Sequence, residues 1–200
     1  MNFELKGKRA IVSAGGSGIG RSIVSEFIKQ GVSVSTCDID KSLVRELKTK
    51  YPQIYAEVVD VADEKSVKEF CAKSIKFSGG LDFLVNNAGV AGPTLSIEEI
   101  NGADWSHCLN VCLSSQFYFV KYCLKHLRKS TSASIVNLSS AAGQYGFAFR
   151  TPYASAKWGV IGLTKSLSIE LGKDRIRVND NVNIFVILVI IIFFILLCLK

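Results

Sequence analysis

The sequence predicts an α/β protein built on a doubly wound parallel sheet, and three observations support this fold class. Short apolar runs alternate with longer segments in which apolar residues recur at helical spacing. The glycine-rich stretch VSAGGSGIGRS joins the first apolar run directly to the first helical segment. The length of 200 residues suits one domain with a single core. We expect right-handed crossovers to place helices on both faces of the sheet.

The first half of the chain alternates strand and helix at short intervals. The first helix is predicted because Ile19, Ile23 and Phe27 recur at helical spacing. The second helix is predicted to end before Pro52, because proline cannot continue it. The predicted strands of this half are 9–13, 32–37, 54–59 and 81–85, and the predicted helices are 18–30, 41–50 and 63–77.

The second half of the chain is predicted to carry longer helices. One long helix is expected over 103–128, followed by a fifth strand over 134–138. A helix over 153–171 precedes a sixth strand that begins at 176–178. Because no internal repeat, linker or composition change appears before residue 180, residues 1–179 are predicted to form one domain.

Composition and charge narrow the classes of function. The net charge is +7, but basic residues such as Lys121, Lys125 and Arg128 are expected on the solvated end of a helix. No basic stripe interleaved with aromatic residues appears, so nucleic-acid binding is not expected. The six cysteines show neither a CxxC pair nor metal-ligand spacing, so we expect free thiols and no metal site. His107 and His126 are expected on helix surfaces.

The start of the chain and its cysteines bear on the compartment. The first residues, MNFELKGKR, carry charges too early for a secretory signal peptide. Free thiols are typical of a reducing environment. We therefore expect a cytoplasmic protein, associated with a membrane only if the apolar end of the chain is a genuine anchor.

The glycine-rich loop predicts a dinucleotide site. Small residues let the backbone approach a pyrophosphate, whose charge is favoured at a helix N-terminus. Asp38 ends the second predicted strand, where a carboxylate accepts hydrogen bonds from the ribose hydroxyls of NAD and repels the 2′-phosphate of NADP. The alternative is that Asp38 caps the helix that begins at Lys41.

Further candidate site residues follow the third and fourth predicted strands. Asp60 and Val61 end the third strand, and the sequence NNAG, residues 86–89, ends the fourth. Open α/β sheets bind ligands beyond the carboxyl ends of their strands. These residues are therefore expected beside the glycine-rich loop.

The stretch TPYASAKWG predicts a proton-transfer site. Tyr153 and Lys157 are four residues apart and therefore share one helix face. A nearby ammonium favours the phenolate form, so the tyrosine can act as general acid or base nearer neutral pH. Ser140, in the preceding IVNLSS, can hold a substrate oxygen beside Tyr153.

With these motifs, the chain resembles a short-chain dehydrogenase/reductase of the compact type over about residues 3–179, which implies a Rossmann-like fold. The glycine motif, NNAG, IVN-x-SS and YxxxK occur in the family's order and spacing. The resemblance implies that Tyr153 transfers the proton, that Lys157 binds the nicotinamide ribose and tunes Tyr153, and that Ser140 orients the carbonyl. It also implies a cofactor site formed by Ser13, Gly15, Ser17, Gly18, Ile19, Gly20, Asp38, Asp60, Val61, Asn87, Ala88, Gly89, Tyr153 and Lys157.

Two residues depart from the family's motifs. Ala14 stands where the family's loop has its first glycine, and we expect this change to be tolerated with some loss of cofactor fit. Aligning W-x6-N on Trp105 places Cys112 at the family's fourth catalytic position, an asparagine, while Asn110 would point off that helix face. A thiol makes weaker hydrogen bonds than an amide, so a proton relay through Cys112 should be weakened, although its main-chain carbonyl is retained.

The residues from 180 to 200 depart further from the family. Family members continue with a Pro-Gly loop, a substrate lobe and a seventh strand, which residues 180–200 do not match. Residues 184–199 contain no charge, glycine or proline. Three interpretations stay open: translated noncoding sequence or a truncation, a membrane segment whose helical length of about 24 Å is slightly short, or a buried native segment. Such a tail is expected to lower solubility.

Two hypotheses for the function follow. The first is an NAD-dependent enzyme, with NADP less favoured, that interconverts a secondary alcohol and a ketone and forms a homo-oligomer through the long helix. The second is a protein that binds the cofactor but is catalytically inactive, tethered to a membrane if residues 184–199 insert. The resemblance leaves the small-molecule substrate open among a 3-oxoacyl thioester, a sugar or polyol, and a steroid-like alcohol.

Overall fold

A computed structural model describes residues 5–181 of the chain and shows a parallel sheet covered by helices on both faces. Its strands are β1 (Arg9–Ser13), β2 (Ser33–Asp38), β3 (Tyr55–Val58), β4 (Phe83–Asn86), β5 (Ser134–Leu138) and β6 (Arg177–Asn181). Within the described residues the strand order is β3-β2-β1-β4-β5-β6. This order confirms the predicted doubly wound parallel sheet.

The helices follow the predicted order with small shifts at their ends. They are α1 (Gly18–Lys29), α2 (Lys41–Lys50), α3 (Glu64–Ser78), α4 (Gly102–Leu109), α5 (Ser115–Leu127) and α6 (Thr151–Gly172). Strand β1 pairs with β2 on one side and with β4 on the other, so the winding of the chain reverses there. Ligands of open α/β sheets bind in the crevice at such a point, beyond the carboxyl ends of the strands.

Successive residues of β1 point into different halves of the core. Val12 packs in one apolar cluster with Phe27 of α1 and Leu47 of α2. Ile11 packs in the other cluster with Phe70 of α3 and further residues of α5. Because side chains alternate along a strand, this division is what a sheet buried on both faces requires.

The long helix predicted over 103–128 is interrupted. A π-helical turn, Asn110–Ser114, separates α4 from α5. Two side chains just after this turn donate hydrogen bonds to its carbonyl groups. Ser115 Oγ donates to the Val111 carbonyl at 2.6 Å, and Gln116 Nε2 donates to the Cys112 carbonyl at 3.1 Å. The apolar pattern is helical on both sides of the turn, so sequence periodicity did not show it. Single π turns inside helices frequently occur at functional sites.

The C-terminal strand begins where it was predicted, and the tail that follows it is not described. Strand β6 pairs with β5 as far as Asn181, and Ser139 N donates to the Asn181 carbonyl at 2.9 Å. Residues 182–200, which include the apolar stretch 184–199, lie outside the described residues. Between residues 5 and 181, no helix has the length and apolar character needed to cross a membrane. The cysteines in that range are free and buried.

Candidate active site

Two adjoining cavities lie at the carboxyl ends of the central strands, as predicted for this sheet. The first has a volume of about 400 Å³ and the second about 220 Å³, and they share Gly89 and Val90. The first cavity is lined by Ile19, Asn87, Leu138, Ser139, Ser140, Ala141, Ala142, Phe147, Arg150, Tyr153, Lys157 and Ala91 in addition to the shared residues. The second is lined by Ala14, Ser17, Asp38, Ile39, Val59, Asp60, Val61, Ala88, His107 and Val111 in addition to them.

The N-terminus of α1 opens toward these cavities without a capping side chain. Ser17, its N-cap residue, makes no side-chain cap bond, and the first turn holds no acidic residue. Helices α2 and α3 differ, because the carboxylates of Asp40 and Asp63 accept from their first N–H groups. The uncapped N–H groups and the positive end of the helix dipole therefore suit a pyrophosphate.

Close packing explains why the loop before α1 is rich in glycine. A Cβ atom at Gly15 would lie 2.0 Å from Thr36 Oγ1, and one at Gly20 would lie 2.1 Å from the Ala14 carbonyl oxygen. Both distances are far below van der Waals contact. The loop can therefore run directly against β2 and its own first turn only with glycine at these two positions.

Ala14, which stands at the family's first glycine, has a left-handed backbone. Its φ is +51°, and that of Gly18 is +53°. For a residue with a Cβ atom the left-handed conformation costs roughly 1–2 kcal/mol. The methyl group of Ala14 also borders the second cavity. The substitution thus carries a cost in backbone strain, which the sequence did not indicate.

Ser13 and Asn87 join the ends of β1 and β4. Asn87 Nδ2 donates to the Ser13 and Ala14 carbonyls at 3.0 and 2.9 Å. Ser13 Oγ accepts from the main-chain N–H groups of Asn87 and Ala88 at 2.9 and 3.0 Å. Asn87 lines the first cavity, whereas Ser13 lines neither. Ser13 therefore holds the loop in place from behind it.

Asp38 contacts the glycine-rich loop and does not cap α2. Its Oδ2 accepts from Gly16 N at 2.9 Å, and its Oδ1 accepts from Asp40 N at 3.1 Å. Asp40 is the cap of α2, since its carboxylate accepts from Ser42 N and Leu43 N. The alternative that Asp38 caps α2 is therefore wrong. The carboxylate of Asp38 lines the second cavity together with Asp60 and Val61.

Tyr153, Lys157 and Ser140 all line the first cavity. Tyr153 and Lys157 lie one turn apart at the start of α6, and Lys157 Nζ is 5.6 Å from the centroid of the Tyr153 ring. Ser140 Oγ accepts from Ala142 N at 3.2 Å, which leaves its O–H free to donate to a ligand. The serine, tyrosine and lysine predicted from the sequence are thus brought together.

Lys157 is almost completely buried, with 4% of its surface exposed. Its Nζ donates to the Leu138 carbonyl at 2.7 Å. Removal from water lowers the pKa of Lys157 below its usual value, with a smaller opposing effect of Cys112 and Cys108. An ammonium has three N–H groups, so the bond to Leu138 leaves two for a ligand.

Cys112 lies behind the first cavity and does not line it. The side chain is fully buried, and its sulfur accepts from Val90 N at 3.3 Å. A methyl group at Gly89 would lie 3.8 Å from this sulfur and 3.7 Å from Lys157 Nζ, so Gly89 lies between them. The main-chain carbonyl of Cys112 accepts from Gln116 Nε2 at 3.1 Å, which leaves its second lone pair free. Asn110 is exposed on the same turn.

Arg150 and Phe147 were not identified from the sequence. Both line the first cavity, and the Arg150 guanidinium carbon lies 5.4 Å from the Tyr153 ring centroid. The stretch FAFRTPY places Arg150 three residues before Tyr153, which is the one signal the sequence offered. His107, expected on a helix surface, is exposed and also borders the second cavity.

The chain is similar to known proteins over most of its length. The family model of the short chain dehydrogenases matches residues 8–183. A 3-oxoacyl-(acyl-carrier-protein) reductase of Thermotoga maritima is 36% identical over 181 residues, which cover 88% of this chain and 73% of the relative. An L-fucose dehydrogenase of Bos taurus is 34% identical over 179 residues, which cover 90% of this chain and 66% of the relative.

Solved structures show the same fold. The crystal structure of a levodione reductase superposes with a TM-score of 0.82 at 28% identity, covering 88% of this chain and 70% of that one. A xylitol dehydrogenase structure has a TM-score of 0.83 at 24% identity with the same coverage, which supports the fold.

Proposed function

The chain belongs to the short-chain dehydrogenase family of NAD(P)-dependent oxidoreductases, and we propose that it interconverts a secondary alcohol and a ketone. The observation that carries this proposal is the convergence of Ser140, Tyr153 and Lys157 on one cavity. That cavity adjoins a second one at the uncapped start of α1. Turnover of a panel of secondary alcohols with NAD, followed by NADH absorbance, tests it.

Ser140, Tyr153 and Lys157 have different roles in the proposed reaction. Bound NAD supplies the acceptor for the hydride that leaves the carbinol carbon. Ser140 donates a hydrogen bond to the substrate oxygen, and Tyr153 accepts the hydroxyl proton as the carbonyl forms. In the direction of reduction, Tyr153 returns that proton. Lys157 holds a ribose hydroxyl with its remaining N–H groups and compensates the negative charge on the phenol oxygen.

We propose NAD, with NADP less favoured, because of the carboxylate of Asp38. It lies at the carboxyl end of β2 and lines the second cavity. An acceptor there suits two ribose hydroxyls, and its charge opposes a 2′-phosphate. Asp60, Val61 and Ala88 line the same cavity and would contact the adenosine half.

Asp38→Ala should weaken NADH binding at least roughly tenfold, the loss expected for each hydrogen bond to a charged group, and should narrow the preference for NADH over NADPH. Because the alanine also removes the acceptor for Gly16 N, Asp38→Asn serves as the matched variant that keeps an acceptor but no charge. Fluorescence titrations with NADH and NADPH measure both effects. Tighter binding of NADPH by the unmodified protein would contradict the role of Asp38.

A second candidate function is that of a cofactor-binding protein without turnover, and the surroundings of Cys112 favour it. The thiol replaces the amide of the family's fourth catalytic residue. The thiol is bonded to the main chain of Val90, accepting from its N–H at 3.3 Å and donating to its carbonyl at 3.4 Å. A proton relay through this helix then has fewer free groups than the family's asparagine would provide.

Cys112→Asn discriminates between the two candidates. If a side-chain relay is missing, the substitution should raise turnover by about a hundredfold, the lower end of the usual range for general acid–base catalysis. NADH binding should stay unchanged. Cys112→Ser, which adds a hydroxyl without an amide, is the matched control, and thermal melts report whether the larger amide fits. Equal or lower turnover would show that the relay does not depend on this side chain.

The substrate class and the oligomeric state are also proposals. A small-molecule substrate is expected, and the names of the two curated relatives keep a 3-oxoacyl thioester and a sugar among the candidates. A homo-oligomer would form through the α4–α5 helix, on which Phe117 exposes 47% of its surface. Exposed aromatic residues are enriched at interfaces.

A further inference from the structure

Arg150 places a positive charge in the first cavity beside the proposed proton donor. It is the residue that precedes α6, and its guanidinium carbon lies 5.4 Å from the Tyr153 ring centroid and 5.9 Å from that of Phe147. One of its Nη atoms donates to the Ala91 carbonyl. The two rings and this bond hold the guanidinium in one place at the cavity wall.

Residues 5–181 provide no compensating anion for this guanidinium. Arg150 Nε is buried and has no hydrogen-bond partner. Among residues 5–181, none of the ion pairs involves Arg150, and the wall of the first cavity contains no aspartate or glutamate. A partly buried cation without a counter-ion is costly, and a planar guanidinium is well suited to a carboxylate.

The other cation of the cavity does not explain this charge. Lys157 donates to Leu138 at the end of β5 and, in the proposed function, holds the cofactor ribose. Arg150 is instead bonded to the loop that follows β4 and packs on Phe147, which belongs to the loop before α6. A role limited to joining these loops would need only the bond to Ala91, which a neutral donor could make.

We propose that Arg150 binds a carboxylate group of the substrate, so that the substrate is a short hydroxy acid and the product its oxo acid. This inference rests on the proposed alcohol–ketone activity and narrows its substrate class. The carbonyl oxygen would lie at Tyr153 and Ser140 while the carboxylate lies at Arg150. Because all three residues line one cavity of about 400 Å³, both groups must belong to one small molecule.

The test compares oxo acids with their neutral methyl esters. Pyruvate and acetoacetate are each assayed beside the corresponding ester with NADH, in the unmodified chain, Arg150→Met and Arg150→Lys. Of the two oxo acids, the one that the unmodified chain reduces faster should be reduced faster than its own methyl ester. Arg150→Met should reduce that preference roughly tenfold to hundredfold, the worth of hydrogen bonds to a charged group. Arg150→Lys should recover part of it.

The ratio of the reduction rates of acid and ester distinguishes recognition of the carboxylate from an effect on the position of Tyr153. A variant that only displaces Tyr153 lowers both rates together and leaves the ratio unchanged. Arg45→Met removes an exposed positive charge on α2 and serves as the matched control, with an unchanged ratio expected. An unchanged ratio in Arg150→Met, or equal use of acid and ester by the unmodified chain, would overturn the inference.

A binding measurement keeps the inference testable if the proposed function fails. In that case neither acids nor esters are turned over. Calorimetric titration of acetoacetate and its methyl ester into the chain with NAD present measures affinity alone, because oxidised cofactor cannot reduce a ketone. The inference is supported if the acid binds more tightly than the ester and Arg150→Met removes this difference. Identical binding of acid and ester would refute it.

Discussion

Tyr153→Phe should lower turnover by about 10²- to 10⁴-fold while leaving NADH binding nearly unchanged. The substitution removes only the hydroxyl group, so the ring that packs beside Lys157 and Arg150 is kept. The proposed reaction then has no group at this position that can give or take the proton. General acid–base catalysis is worth about 10²- to 10⁴-fold, and a loss in that range is expected.

The test measures both the reaction rate and the affinity for NADH. Initial rates of NADH formation or consumption are compared with NADH affinity by fluorescence in the same preparations. Tyr145→Phe is the matched control, because Tyr145 lies in the same loop region, is 69% exposed and does not line the first cavity. It should keep its rate. A Tyr153→Phe protein with a rate near that of the unmodified chain would show that another group transfers the proton.

Gly20→Ala should prevent NADH binding and lower the stability of the domain. The added methyl carbon would lie 2.1 Å from the Ala14 carbonyl oxygen and 2.5 Å from Asn87 Nδ2. Neither neighbour can move freely, since Asn87 Nδ2 donates to that same carbonyl and to Ser13. The start of α1 must therefore move away from β1, and the N–H groups offered to the pyrophosphate move with it.

Overpacking of this kind costs typically about 1–3 kcal/mol, and each kcal/mol lowers Tm by roughly 2–4 °C for a domain of this size. Thermal melts and NADH titrations measure the two effects. Gly162→Ala is the matched control, because a Cβ atom at this position in the middle of α6 meets nothing within 4 Å. It should bind NADH normally and melt no lower. Normal binding by Gly20→Ala would place the pyrophosphate elsewhere.

The sequence alone determined those features that depend on short stretches of chain. Strand and helix alternation follows from local periodicity, and the bounds of β1, α2 and β5 agree with the structure to the residue. The pairing of Tyr153 with Lys157 follows from helical spacing. Their position at the sheet's carboxyl edge follows from strand order, which the right-handed crossover limits to few arrangements.

Only the tertiary structure decided the features that depend on residues distant in the chain. Two carboxylates, Asp38 and Asp40, both precede α2, and the choice of cap rests on which one accepts from Gly16, in a loop before α1. Local sequence cannot distinguish them, because both have the same chemistry and nearly the same spacing from the helix.

The same reason applies to the residues around Tyr153, the proposed proton donor. Whether Cys112 faces the cavity depends on the π turn and on its contact with Val90. The position of Arg150 depends on its bond to Ala91, and whether its charge is paired depends on the acidic residues that could approach it. Such contacts are fixed when separate loops pack together. Residue types and local spacing therefore predict which groups are available to the site, whereas the packing of the loops that follow β4 and β5 decides which of them line the cavities.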